Sequence, residues 1–166
     1  MLFVFRMATF VIFLFSSMMS YAGELSADIT THLGKNKTFH EGDEIRILLS
    51  LTSAAYGLIV YETADGQLIQ LFPNKYENIN QLPAGKYYSF GVGQEVFRFT
   101  VSPPFGKERV WLFSSLFLLP DVSQFTEQMG NYKKIKLSLT QFKKKMNEQR
   151  KNLIINQSFV EINTRE

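Results

Sequence analysis

Between Leu25 and about residue 115, apolar residues recur at alternate positions in short runs, and each run is closed by a turn signal. Leu25, Ala27, Ile29, Thr31 and Leu33 form the first run, and Ile45, Ile47, Leu49 and Leu51 the second. A period of two places these side chains on one face of a strand. Leu48 interrupts the polar face of the second run, which predicts cover on both of its sides. Residues 56–61 are continuously β-prone, and residues 68–72 return after Asp65-Gly66. Asp-Gly between two apolar runs predicts a tight hairpin. Pro83-Ala84-Gly85 turns the chain into Tyr87-Tyr88-Ser89-Phe90. Gly91-Val92-Gly93 predicts a bend or bulge. Phe97, Phe99 and Val101 alternate with Arg98 and Thr100, and residues 110–113 carry the single tryptophan, Trp111. Roughly seven or eight short strands at even spacing, with no helix between them, predict an all-β antiparallel sandwich or a partly open barrel.

Two segments flank this β-rich region. Residues 1–22 begin with one cation, Arg6, continue through an uncharged apolar stretch, and end in Ser20-Tyr21-Ala22. A basic start, an apolar centre and small residues at the −3 and −1 positions predict a signal peptide cleaved after Ala22. The alternative is a retained N-terminal membrane anchor. The dense apolar stretch is short for crossing about 30 Å of hydrocarbon. The expected location is periplasmic or secreted, with residues 23–166 as one domain. The chain contains no cysteine. Disulfides, a thiol nucleophile, cysteine-held metal and a lipidated cysteine are therefore excluded, and the fold must hold by packing alone.

At the other end, residues 116–129 read as irregular. Ser138 and Gln141 then have the spacing of a capping box, with Leu137 and Phe142 placed as a hydrophobic staple. Leu139, Phe142, Met146 and Leu153 share one stripe, predicting an amphipathic helix from about residue 139 to 152. Residues 159–162 predict a short last strand that returns to the sheet, with the helix packed across a face or open end. The formal net charge of +3 conceals a division. Residues 23–128 are acidic overall, whereas the extension 129–166 is strongly basic.

Several of these pieces recur in a fixed order: Phe39, Gly42 and Asp43; residues 56–61; Asp65 and Gly66; Leu71, Phe72, Pro73 and Asn74; Asn80, Leu82 and Gly85; Phe97 to Phe99; then Pro104, Phe105, Gly106, Lys107 and Glu108. Over about residues 36–118 the pattern resembles the bacterial domain of unknown function family 4384. The resemblance implies an all-β accessory module of envelope proteins, also found beside kinase-like and caspase-like domains. It attaches no enzymatic activity to the domain. The matching residues are those of turns and strands, which implies structural roles.

The remaining candidates each have a bland reading. His32, His40, Glu41, Asp43 and Glu44 are the one cluster resembling a metal or acid–base site, but they lack the regular oxygen spacing of a calcium loop and read as a solvated turn. No Gly-x-Ser-x-Gly elbow or phosphate loop is present. Tyr87, Tyr88, Phe90 and Trp111 suggest an aromatic platform for sugar or peptide, with core packing or cross-strand pairing as the ordinary alternative. Lys143, Lys144 and Lys145, followed by Arg150 and Lys151, are predicted to point outward. They form either an ordinary solvated helix face or a contact for anionic lipid or a cell-wall polymer. Nucleic acid is not expected, because the basic helix has no base-stacking stripe. No cofactor or metal is expected. The leading expectation is an exported, non-enzymatic envelope module that binds a protein partner. A glycan- or lipid-binding module is the alternative, and a hydrolase with an unrecognised site ranks third.

Overall fold

The computed structural model describes residues 24–75, 80–90, 98–130, 132–149 and 151–166, with residues 86–90 described by their backbone alone. The segment 1–22 expected to be a signal peptide, the bend expected at Gly91-Val92-Gly93, Phe97 and Arg150 lie outside the described residues.

The strands sort into two open sheets. The smaller contains β1 (Ala27–Thr31), β3 (Ile47–Leu51) and β7 (Gly85–Phe90), in the order β1-β3-β7. The larger contains β2 (Lys37–His40), β4 (Ala55–Glu62), β5 (Leu68–Phe72), β8 (Lys107–Ser115), β9 (Thr126–Met129), β10 (Tyr132–Ile135) and β11 (Asn156–Arg165), in the order β2-β11-β8-β4-β5-β10-β9. The short β6 (Gln81–Leu82) also pairs with β4. An α-helix, α1 (Leu139–Gln149), lies between β10 and β11. The chain is thus an all-β sandwich with a C-terminal helix.

Burial along β4 and β8 shows how the layers stack. Ile59, Val110 and Leu112 meet Ile29, Ile47, Leu49 and Leu51 of the smaller sheet in one apolar core. Leu58, Val60, Trp111 and Phe113 face the other way and pack with Phe142 and Met146 of α1. Successive strand residues point to opposite faces, so this double alternation means that the larger sheet is covered on both sides. Among the described residues the expected double cover of β3 is incomplete: Leu48 is half-buried, whereas Ile47 and Leu49 are buried in the core between the sheets.

The helix begins as its sequence dictates. The Ser138 backbone N–H donates to Gln141 Oε1 at 3.1 Å, and the Gln141 N–H donates to Ser138 Oγ at 3.4 Å. Leu137 packs beside the buried Phe142, completing the staple. The helix stops at Gln149, short of the expected residue 152, and Leu153 reaches the same core from the turn beyond it.

Three further differences from expectation share one origin. The segment read as irregular contains a 3-10 turn, Ser123–Phe125, and then β9. Its partner β10 was not foreseen, and β11 is much longer than residues 159–162. β9 and β10 are short and mostly polar, so they show no alternation to read. β11 lies inside the sheet, antiparallel to β8 and parallel to β2. Of the strand expected before Val101, the described residues show a single bridge between Glu44 and Thr100, with Phe99 and Val101 buried.

Phe142 is fully buried between the sheet and the rest of α1, with its ring 5.6 Å from that of Phe113. Truncating a large core aromatic costs about 3–5 kcal/mol. Phe142→Ala is therefore expected to lower unfolding stability by about that amount, read from the urea midpoint at unchanged m-value. Gly57 tests the opposite fault. A Cβ there would overlap the Leu82 side chain of β6, so Gly57→Ala is expected to cost about 1–3 kcal/mol by overpacking in the same assay.

Candidate functional site

The described chain brings two of the sequence-derived candidates together. β8 projects Trp111 onto the helix-covered face of the larger sheet, and α1 lays Lys143 across it. Lys143 Nζ stands 3.6 Å from the centre of the indole ring, a cation–π contact. The indole Nε1 donates to Glu62 Oε2 at 2.9 Å, so the polar edge of the ring is satisfied as well. Phe159 of β11 packs against the same ring at 4.7 Å. Arg109 then links the strands, at 3.6 Å from Glu62 and 3.3 Å from Glu161, while Lys107 reaches Glu161 at 3.0 Å.

The environment adjusts these groups. Partial burial pushes the Lys143 ammonium below its usual range; Glu62 opposes that shift and Arg109 adds to it. Glu161 is held below the usual carboxylate range, first by its hydrogen bond from Lys107. Lys143 therefore does not point outward as the sequence suggested, because its stem lies along the sheet and its charge is engaged by an aromatic face. Lys144 and Lys145 do point outward, and both reach Glu148, at 3.9 and 2.9 Å. Lys151 is exposed.

The aromatic platform does not assemble. Trp111 is buried under Lys143 and Phe159. Tyr87 and Tyr88 belong to β7, in the other sheet, where Tyr88 pairs with Leu49. The acidic and histidine cluster also disperses into turn contacts. Asp43 Oδ2 accepts the His40 backbone N–H at 2.7 Å, His32 Nδ1 accepts the Arg46 N–H at 3.2 Å, and His40 Nε2 accepts from Arg165 at 2.9 Å. Glu44 lies 3.8 Å from Arg98. Among the described residues no three His, Asp or Glu side chains converge as a metal site would require. A groove of about 350 Å³ beside the hairpin is lined by Tyr61, Thr63, Asp65, Arg98 and Ser102. Asp65 is occupied there by the Thr63 hydroxyl and by Gln67 Nε2, and the Thr63 contact holds it below its usual range.

The residues of the family-like pattern build turns and core. Gly42, Gly66, Gly85 and Gly106 all have positive φ, which favours glycine. Leu71 and Phe72 are buried, Asn74 Nδ2 caps the Leu71 carbonyl at 2.9 Å just beyond Pro73, and Phe105 packs on the core between the sheets.

The burial of one ionisable residue escaped the sequence reading, which placed it only within the family-like pattern. Glu108 is almost wholly buried on β8, and among the described residues neither carboxylate oxygen has a partner in full hydrogen-bond geometry, although the Tyr61 and Thr164 hydroxyls lie close. Burial is the main force raising its pKa, opposed by the nearby Tyr61 and Thr164 hydroxyls. Tyr61 is raised too, by burial first and then by Glu108. The signal was available in the alternation: Glu108 is in phase with Val110 and Leu112, which both face the core.

The fold thus defines an open two-sheet sandwich with a helix across one face. Residues 38–116 match a family described as a domain of unknown function (DUF4384), and over that segment the chain resembles that family. No curated protein matches the chain, and no solved structure does. The matched segment ends just after β8, yet β11, which lies outside it, separates β2 from β8 in the sheet.

Two measurements probe these buried charges. A group whose pKa is raised by folding holds its proton more tightly in the native state. Its stability contribution is complete at low pH and is lost as pH rises from the ordinary value of 4.5 through the native one. Glu108→Gln is therefore expected to be more stable than the parent near pH 8, with the gap closing toward pH 4 in urea titrations. For the surface network, Trp111→Phe keeps most of the apolar contact but removes the Glu62 hydrogen bond. It is expected to cost about 1–3 kcal/mol at neutral pH in the same titration.

Proposed function

We propose that this chain is an exported, non-enzymatic accessory module of the bacterial envelope that holds a protein partner at the free edge of its larger sheet. Residues 1–22 act as its signal peptide on this reading. The resemblance to an all-β domain without assigned chemistry supports the accessory role.

The observation that carries the partner site is the β9–β10 edge. Among the described residues β9 pairs only with β10, leaving its other side available for an added strand. Met129 and Tyr132 are directly opposed across that hairpin and are 42% and 41% exposed. Methionine and tyrosine together at an open edge suit a protein contact, since both residue types are enriched in interfaces. Glu127 on the same strand pairs with Lys136 at 3.7 Å, and a charge there discourages indiscriminate edge pairing. The lysine-rich helix offers less, because Lys143 is engaged by Trp111, and Lys144 and Lys145 by Glu148.

A photoreactive residue at position 129, introduced in the producing cell, is expected to capture one discrete partner. Tyr132→Arg should then weaken binding of that purified partner by roughly tenfold or more while leaving thermal stability unchanged. Undiminished binding by the Tyr132 variant would exclude the edge, and substrate turnover by the purified chain would exclude the non-enzymatic role.

A further inference from the structure

The two sheets differ in width. The smaller has three strands and the larger eight, and β1 packs over β11 and β8. On the opposite flank the larger sheet extends past the smaller one. There Tyr61, Ile69, Leu71 and Tyr132 floor the groove of about 350 Å³ next to the Asp65 hairpin. Tyr61 and Ile69 are opposed in register and only partly buried against the core between the sheets. The Tyr61 ring meets the Phe99 ring edge-on at 4.7 Å, which joins this floor to the groove's wall.

The wall is the segment from Arg98 to Pro104. It runs antiparallel to the residues before β3. The Phe99 carbonyl accepts from the Ile45 N–H at 2.8 Å, the Val101 N–H donates to the Asp43 carbonyl at 2.9 Å, and the Val101 carbonyl accepts from the Gly42 N–H at 3.0 Å. Alternate residues of an extended chain direct their backbone groups to opposite sides. Thr100 lies opposite Glu44 between these bonds, so its own N–H and C=O turn to the other edge. Among the described residues nothing takes them up. Thr100 and Ser102 are exposed along the groove, and Pro103 and Pro104 end the edge because they have no N–H.

The charges of the groove are unequal in commitment. Asp65 is held by Thr63 and Gln67, and Glu127 by Lys136. The Arg98 side chain is 71% exposed, and its contact with Glu44 is long, at 3.8 Å. Lys134 is opposite Ile69 in register and therefore shares the face that floors the groove.

From this arrangement we propose that the groove receives an extended acidic peptide segment of another protein, added as a strand beside Thr100. Its alternate apolar side chains rest on Ile69, Leu71 and Tyr132, and a carboxylate meets Arg98. An open strand edge supplies main-chain pairing, and the floor beside it selects every second side chain. A sugar could use the rings and hydroxyls, but it has no repeat that matches a strand edge. This contact is made by the smaller sheet and does not depend on the β9 edge. Tyr132 borders both, so the test leaves it unchanged.

Random decapeptides displayed on phage are selected on the chain purified from the producing cell. A selected peptide is then synthesised with a fluorescent label, and its binding is followed by anisotropy. The expected sequences alternate apolar residues and carry Asp or Glu. Arg98→Glu is expected to weaken binding by roughly tenfold or more at unchanged thermal melting, and Met129→Arg to leave it as it was. The peptide's own backbone reports the pairing, with no change to the protein. N-methylation of one alternating set of its residues is expected to abolish binding, and of the other set to leave it. The Thr100 amide is expected to gain protection from hydrogen exchange in the complex. Enrichment of no sequence, or of basic ones, overturns the proposal. So does binding that tolerates methylation of both sets. Binding lost in Met129→Arg but kept in Arg98→Glu overturns it in favour of the β9 edge.

Discussion

The double cover of β8 is the constraint on which the rest of the molecule depends. Val110 and Leu112 enter the core between the sheets, while Trp111 and Phe113 enter the core under α1. A strand buried on both faces cannot shift by one residue without exchanging the two sets. Here such a slip would move Trp111 into the aliphatic space between the sheets and leave Val110 beneath Lys143. The register with β4 and with β11 is fixed from both sides at once. That also explains why α1 and β11 belong to the fold, although the family match stops at residue 116. Without them one face of β8 and one of its edges would be bare.

The same strand brings the costly groups of the protein together. Glu108 and Arg109 are neighbours, yet the alternation sends one into the core and the other to the helix side. Arg109 finds Glu62 and Glu161 at a half-exposed surface, where a network is more favourable than isolated pairs. At Glu108 burial outweighs the nearby Tyr61 and Thr164 hydroxyls, and the neutral form is the one its surroundings favour. The Trp111 and Lys143 contact belongs to the first kind. It places a cation on a ring face that α1 would otherwise leave partly wet, and the indole N–H is satisfied at Glu62.

What could be read from the sequence was local. The Asp65-Gly66 hairpin, the Ser138 and Gln141 cap and the alternation in β1 and β3 each depend on residues within a few positions of one another. What escaped was set by distant parts of the chain. Lys143 sits between two buried helix positions and looks outward until α1 is known to cross Trp111. β9 and β10 are strands because β5 offers them a ladder, through pairs such as Lys133 with Gln70, and not because their side chains alternate. Leu116, Phe117 and Leu118 read only as the start of an irregular segment, and β8 ends at Ser115 and leaves them exposed. The division of charge was legible; its use was not.

The basic excess of the C-terminal segment therefore bears less on recognition than its count suggests. Lys143 lies on an aromatic ring, Lys144 and Lys145 share Glu148, and Lys136 reaches Glu127. These contacts keep the cations close to acids or aromatic surface, and they weaken the long-range field that salt would screen. Among the described residues several large apolar side chains stay exposed, including Met129 and Tyr132 at the edge and Leu116, Phe117, Leu118 and Ile154 elsewhere. Association through Met129 and Tyr132 would bury apolar area and change little with ionic strength, unlike a polybasic contact, which salt weakens steeply. A strand added at the edge would have to supply a backbone of matching register.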